Sequence, residues 1–203
     1  FDQDASALEM AKPELEPFGS RVVMAHINFR DIAAAAEEHE FMGADGVLAD
    51  TGISSMLIRD PARGFSFIGG GPLDMRMDRT QELRAADVVN TYRERDIADI
   101  LFRFGEERRS RKIASSIVRV RPLRLTTDLV RAVERVLGGP RHGQIHPATR
   151  TFQALRIYVN DELGSLETFL DSAMTVIRSG GRLVVVTFHS LEDRIVKNKF
   201  RTS

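Results

Sequence analysis

Two short apolar runs, DGVLAD at 45 to 50 and RLVVVTF at 182 to 188, most limit what this chain can fold into. Each is too short for a buried helix and bounded by polar or glycine-containing turns, so each reads as a core strand. A helical pattern precedes both. Asp31 opens an alanine-rich segment reaching about Glu40, and a helix from Ser165 to Arg178 closes at Gly180 and Gly181. Helix 4 to 16, strand 21 to 29, helix 31 to 40 and strand 45 to 50, in that order, give the pattern of a parallel sheet with right-handed crossovers. The near-continuous apolar run of RLVVVTF suits a parallel strand covered on both faces. Ligands of open α/β sheets sit outside the carboxyl ends of the strands. Asp50, closing the first run, and His189 with Ser190, following the second, are therefore candidate site residues.

The remaining pattern supplies further elements. Residues 4 to 16 form a helix capped by Asp4, and RVVMAHINF, 21 to 29, is a third strand by its β-branched content. Residues 51 to 80, rich in Gly, Pro, Arg and Asp, form a long loop, which in a compact domain is usually functional. Helices then follow at about 84 to 104, 106 to 120 and 127 to 137, the last opened by Thr126 or Thr127 and closed by Gly138. No strand interrupts them, so they form an inserted helical lobe. ATRTFQALRIYVNDEL, 148 to 163, is an amphipathic helix that breaks near Gly164, and His189 to Phe200 is the last helix.

Composition excludes several classes of protein. The 203 residues contain no cysteine, which removes disulfides and thiolate metal sites. No apolar run reaches the roughly 20 residues of a membrane helix, and FDQDASALEM does not resemble a signal peptide. A protein of the cytoplasm or of a mitochondrial or other organelle matrix is expected. Basic and acidic residues number 29 each, so only their distribution speaks to partners. Between Arg103 and Arg124 the only acids are Glu106 and Glu107, which leaves a local basic surface.

Each candidate residue has a structural alternative. Asp2 is either the carboxylate that accepts a ribose diol at a strand end or a turn residue before the Asp4 cap. Phe29 either covers an adenine or is core. Asp50 faces a crevice or caps a turn, while Gly52 lets backbone approach a ligand and Ser54 and Ser55 supply hydroxyls. Asp74, Arg76 and Asp78 either pair with one another or position a phosphate or base. His146, Arg150, Arg156 and Asn160 lie on or beside one polar helix face. His189 lacks HxxxH or cysteine spacing, so zinc is not expected.

In order, DGVLADTGISS, RGFSF, GPLDMRMD, FGEER, HPATRTFQALRIYVNDEL and FHSLEDRIVK resemble the MraW/RsmH family across nearly the whole chain. The resemblance implies an α/β fold: the Rossmann-like parallel sheet of a class I methyltransferase, with an inserted all-helical domain. Residues 1–58 and 146–203 would then bind cofactor, and 59–145 would be the loop and helical substrate-recognition domain. It implies methyl transfer from S-adenosylmethionine to N4 of a cytidine in the decoding centre of small-subunit ribosomal RNA, without a metal. Asp2, Phe29, Asp50 and Gly52 would contact the cofactor, with Asp50, Ser54 and Ser55 at the reacting amine. Asp74, Arg76, Arg108, Arg111, His146, Arg150, Asn160, His189 and Ser190 would bind the RNA or the assembled small subunit. A homodimer remains open.

Two departures from the family pattern accompany this. The family's glycine-rich loop would precede Phe1, and Leu57 stands where the family usually has Gln. They motivate an alternative expectation: a clipped or degenerate member that binds RNA or the ribosomal subunit without catalysis.

Overall fold

The computed structural model describes residues 1–202. In chain order its elements are α1 (Ala5–Leu15), α2 (Ile32–Glu38), β1 (Ala44–Asp50), α3 (Ser55–Arg59), α4 (Ala85–Thr91), α5 (Glu94–Gly105), α6 (Ser110–Arg119), α7 (Thr126–Leu137), α8 (Thr149–Val159), α9 (Glu162–Val176), β2 (Ile177–Val186) and α10 (Ser190–Thr202). They group into two units, one built from Phe1–Gly52 with Asp161–Ser203 and one from Ile53–Asn160.

In the first unit β1 and β2 pair in parallel, from Gly46 opposite Arg182 to Asp50 opposite Val186. Alternation along the strands sends Val47, Ala49, Leu183 and Val185 onto the apolar stripes of α2, α9 and α10. There Ile32, Ala36, Leu166, Phe169, Leu170, Ala173 and Val196 form a core. The other face is open: Leu48 is 71% exposed and Val184 49%. Burial on both faces, expected from the apolar run, is thus not observed, because the helices of this unit pack on one side only.

The strand expected at 21 to 29 is also absent. Only Asp2 and His26 make an isolated parallel bridge, and Phe29–Asp31 is a turn of 3-10 helix. The Asn28 side chain accepts the Arg30 N–H at 3.0 Å and so starts that turn. β-rich composition favours a strand only where neighbouring strands receive it. Asp4 caps α1 as expected, accepting the Ser6 N–H.

The second unit is helical, with α5 lying against both α6 and α8, and α7 against α6. Ile97, Leu101, Ile113, Ile117, Leu123, Leu129 and Leu155 are fully enclosed at its centre. The spacing of Ile97 and Leu101, one turn apart, gives α5 its apolar stripe. Gly105 permits the close crossing of α5 on α8: a Cβ there would lie 2.6 Å from the Arg150 carbonyl oxygen.

Three boundaries differ from the sequence reading. The helix expected over 84 to 104 breaks at Tyr92 and Arg93, both extended, and α6 starts at Ser110 because Glu106 is left-handed (φ +48°). The break between α8 and α9 falls at Asn160 and Asp161 (φ +46°), not at Gly164. Phe152, Ala154, Leu155 and Val159 of α8 belong to the helical core, so α8 groups with Ile53–Asn160 and not with the 146–203 segment.

Candidate functional site

In the first unit the parallel strands end together. Asp50 is exposed at the last paired position, and the next residue ties the strand ends, since Thr51 donates both its N–H (3.2 Å) and its hydroxyl (2.8 Å) to the Val186 carbonyl. Gly52 then turns the chain with φ +90°, and a Cβ on it would come within 3.3 Å of the Phe188 ring. Phe188 itself is 67% exposed. Its N–H donates to the Glu192 carboxylate at 2.9 Å, as does that of His189 at 3.3 Å. Glu192 is 2% exposed and also faces His189 Nε2 at 3.4 Å. A buried carboxylate therefore fixes the backbone from which Phe188 projects and begins α10.

Glu162, His189 and Glu192 form a grouping of metal-type donors whose ligand atoms lie within 4.8 Å of one another. Sequence spacing around His189 gave no sign of it, because Glu162 arrives from the start of α9. Its chemistry is already accounted for in part by the capping and ion pairing of Glu192. Ser190 is the exposed first residue of α10.

Asp2 and the segment carrying Phe29 lie side by side through the Asp2–His26 bridge, with the Ile27 N–H donating to the Asp2 carbonyl at 3.1 Å. One carboxylate oxygen of Asp2 accepts the Asp4 N–H at 2.7 Å. Phe29 packs edge-on against Phe169, centroids 5.1 Å apart, and joins the core beneath the sheet. The structure thus joins Asp2 to residues 25–27 and Asp50 to Val186.

In the second unit Ser54 accepts the Leu57 N–H at 3.2 Å and caps α3, with Ser55 exposed in its first turn. Leu57 is 5% exposed within the helical core, which explains an apolar residue at this position.

The GPLDMRMD loop is held by three side chains. Arg76 forms a two-pronged pair with Asp74, Nε to Oδ1 at 2.8 Å and Nη2 to Oδ2 at 2.9 Å, and its Nη1 reaches the Gln81 carbonyl at 2.7 Å. Burial pushes the Asp74 carboxyl up, but the hydrogen bonds and charge of Arg76 outweigh it and hold the group below its usual range. Arg63, 5% exposed, donates to the carbonyls of Arg76 (3.0 Å) and Met77 (2.6 Å). Asn160 accepts the Met77 N–H at 2.7 Å and donates to the Met75 carbonyl at 2.8 Å. Mutual pairing of Asp74 and Arg76 and the buried amide of Asn160 therefore shape the loop. Arg63 was missed, since no local pattern distinguishes a buried arginine.

His146 stacks on Phe67 at 4.3 Å between centroids and accepts the Ala148 N–H at 3.1 Å, so it starts α8. Arg150 is exposed and reaches the Glu106 carbonyl at 3.5 Å. Arg108 and Arg111 lie exposed around the start of α6.

Fold and site define an α/β protein with a carboxylate and a glycine turn at the end of a parallel strand, together with a helical unit that holds an internally bonded Arg-Asp loop. The chain belongs to the MraW methylase family, whose model matches residues 1–203. It is 48% identical over 201 residues to a Dehalococcoides mccartyi protein named Ribosomal RNA small subunit methyltransferase H, covering 99% of this chain and 57% of that one. A protein of the same name from Trichormus variabilis is 52% identical, covering 100% of this chain and 65% of the relative. Another from Acidobacterium capsulatum is 48% identical, covering 99% and 69%. The chain thus spans little more than half of the first of these relatives.

Proposed function

We propose that this chain forms part of an S-adenosylmethionine-dependent methyltransferase that modifies N4 of a cytidine in small-subunit ribosomal RNA. The observation that carries the reading is the family match across residues 1–203, coinciding with an exposed carboxylate at the end of β1. On this reading the first unit is the core of a Rossmann-like sheet and the second an inserted helical domain that recognises RNA. The protein works where ribosomes are assembled, in the cytoplasm or, as the alternative, an organelle matrix.

The residues at the strand ends suit such a cofactor. Asp2 and Asp50 are exposed acceptors, matched to ribose hydroxyls or an amine, and Gly52 allows backbone to approach. Phe29 supports the segment next to Asp2 through its packing on Phe169. When bound, S-adenosylmethionine supplies an electrophilic methyl group on a sulfonium. Asp50 accepts a hydrogen bond from the target amine as positive charge grows on nitrogen, and takes up the proton that nitrogen releases. Ser54 and Ser55 are further candidates for this contact. The target base has to leave its stack, so RNA is held through backbone contacts, for which Arg108, Arg111, Arg150, His189 and Ser190 are candidates. Asp74, Arg76, His146 and Asn160 act by shaping the recognition surface.

The test is transfer of labelled methyl from S-adenosylmethionine to small ribosomal subunits by the whole protein, with the label mapped by nuclease digestion. Label on a cytidine N4, and its loss by about 100-fold or more in kcat for Asp50→Ala, is expected. Calorimetry with S-adenosylmethionine separates the non-catalytic reading: a whole protein that binds RNA but shows neither cofactor heat nor transfer overturns the proposal.

A further inference from the structure

The helical unit carries a groove of about 520 Å³ between α5 and the start of α6, lined by Asp99, Phe102, Arg108, Arg109, Arg111 and Lys112. Phe102 breaks the pattern of its helix. It is 60% exposed on the polar side of α5, whose apolar side is filled by Ile97, Ala98, Ile100 and Leu101. A large exposed ring on an otherwise sharply divided helix contributes nothing to the core beneath it.

The charges beside it are unevenly compensated. On α5 two of the three acids have partners: Asp96 pairs with Arg93 at 3.0 Å and Asp99 with Arg95 at 3.9 Å. Among the described residues no hydrogen bond or ion pair engages the side chains of Arg108, Arg111 or Lys112. Three exposed cations thus crowd one groove and repel one another, at the end of α6 where the helix dipole is positive. A second hollow, of about 550 Å³, adjoins it past Ala98, Asp99 and Arg111, but there Glu94 and Asp99 balance Arg95 and Arg111, so the excess positive charge is confined to the groove beside Phe102. A cationic track with an aromatic ring in it is the arrangement that binds single-stranded nucleic acid: phosphates follow the charge and a base stacks on the ring.

We infer that this groove is an RNA contact in which an unpaired base stacks on Phe102 while Arg108, Arg111 and Lys112 bind the flanking phosphates. It rests on the reading that the protein acts on RNA, and it assigns the stacking contact to Phe102, a residue to which the methyl-transfer chemistry gives no role. Neutral overall charge is no obstacle, since the attraction is local.

The chain contains no tryptophan, so Phe102→Trp places a single indole fluorophore in the groove. Titrating this full-chain variant with an unstructured RNA of about ten nucleotides should give saturable quenching, whereas polyphosphate should bind without quenching. Phe102→Ala should weaken RNA affinity by about 5- to 100-fold with circular dichroism unchanged. The triple variant Arg108→Ala, Arg111→Ala, Lys112→Ala should lower the slope of log affinity against log salt by roughly 2. RNA binding at wild-type affinity by Phe102→Ala, or binding without quenching by Phe102→Trp, refutes the groove and leaves the functional reading standing. A whole protein that binds no RNA refutes that reading itself. Quenching by an acidic peptide as strong as that by RNA reassigns the surface to a protein partner and overturns the inference.

Discussion

Replacing Asn160 by leucine tests how the GPLDMRMD loop is held. The Asn160 amide joins the end of α8 to the loop, taking the Met77 N–H at 2.7 Å and giving to the Met75 carbonyl at 2.8 Å. Met75 and Met77 are 0% and 4% exposed, so water cannot replace either bond. A third bond, to the Arg156 carbonyl, matters less because that carbonyl already accepts the Asn160 backbone N–H at 3.1 Å. Leucine has nearly the same shape, so the change isolates the polar contribution. Two buried groups left without partners cost about 1 to 3 kcal/mol each, giving a loss near 4 kcal/mol. The assay reads the helical unit alone, because both tyrosines, Tyr92 and Tyr158, lie in Ile53–Asn160 and the chain has no tryptophan. Followed by tyrosine fluorescence, the urea midpoint should fall by about 2 M for a slope of about 2 kcal/mol/M. Asn160→Asp keeps the acceptor for Met77 but turns a buried carboxylate oxygen toward the Met75 and Arg156 carbonyls, so at neutral pH it should be at least as destabilising as leucine. A midpoint moved by less than about 0.3 M at unchanged slope would refute the reasoning, for it would mean the loop carbonyl and amide find partners without the Asn160 side chain.

Two further outcomes follow from the same unit. The Tyr158 hydroxyl donates to the Tyr92 oxygen at 3.3 Å, and this bond, followed by burial, pushes its pKa up to about 12 from an ordinary value of 10.0. The neutral form is favoured by folding, so this stabilisation is whole below pH 10, where the unfolded chain titrates, and is lost as pH rises through the folded value. Absorbance titration at the tyrosinate band should show one tyrosine delayed, and Tyr92→Phe should release it; equal titration before and after that change would count against the bond. Leu57→Gln should lower thermal stability by about 2 kcal/mol, since it buries an amide in an apolar core. Unchanged stability would place position 57 outside that core.

The two strands that form were legible because their apolar runs are short and end in polar turns, and each lies next to the helix that covers it. The segment 21 to 29 carries the same residue types and yet forms only a bridge at His26, because a strand depends on its neighbours and these are remote in sequence. The same limit hid the end of α8, which is set by Asn160 bonding to residues near 76, far upstream. Asp50 and Gly52 stand out as candidates because they follow an apolar run. For Asp74 and Arg76 the sequence leaves mutual pairing and ligand contact both open, and only the fold shows the pairing. Phe188 and Phe102 were overlooked because a phenylalanine on a strand or helix is ordinarily core, and only their exposure in the folded chain distinguishes them.

The two-part make-up of the first unit has a consequence for how the polypeptide matures. As the chain leaves the ribosome, the uninterrupted stretch Ile53–Asn160 holds everything its own core requires and can close before the rest of the first unit is made. β1 has by then been synthesised but has nothing to pair with, since Ile177–Val186 emerges only after the whole helical unit. Nascent chains halted before Ile177 should therefore carry a finished helical body and an unprotected, protease-sensitive segment across Phe1–Gly52.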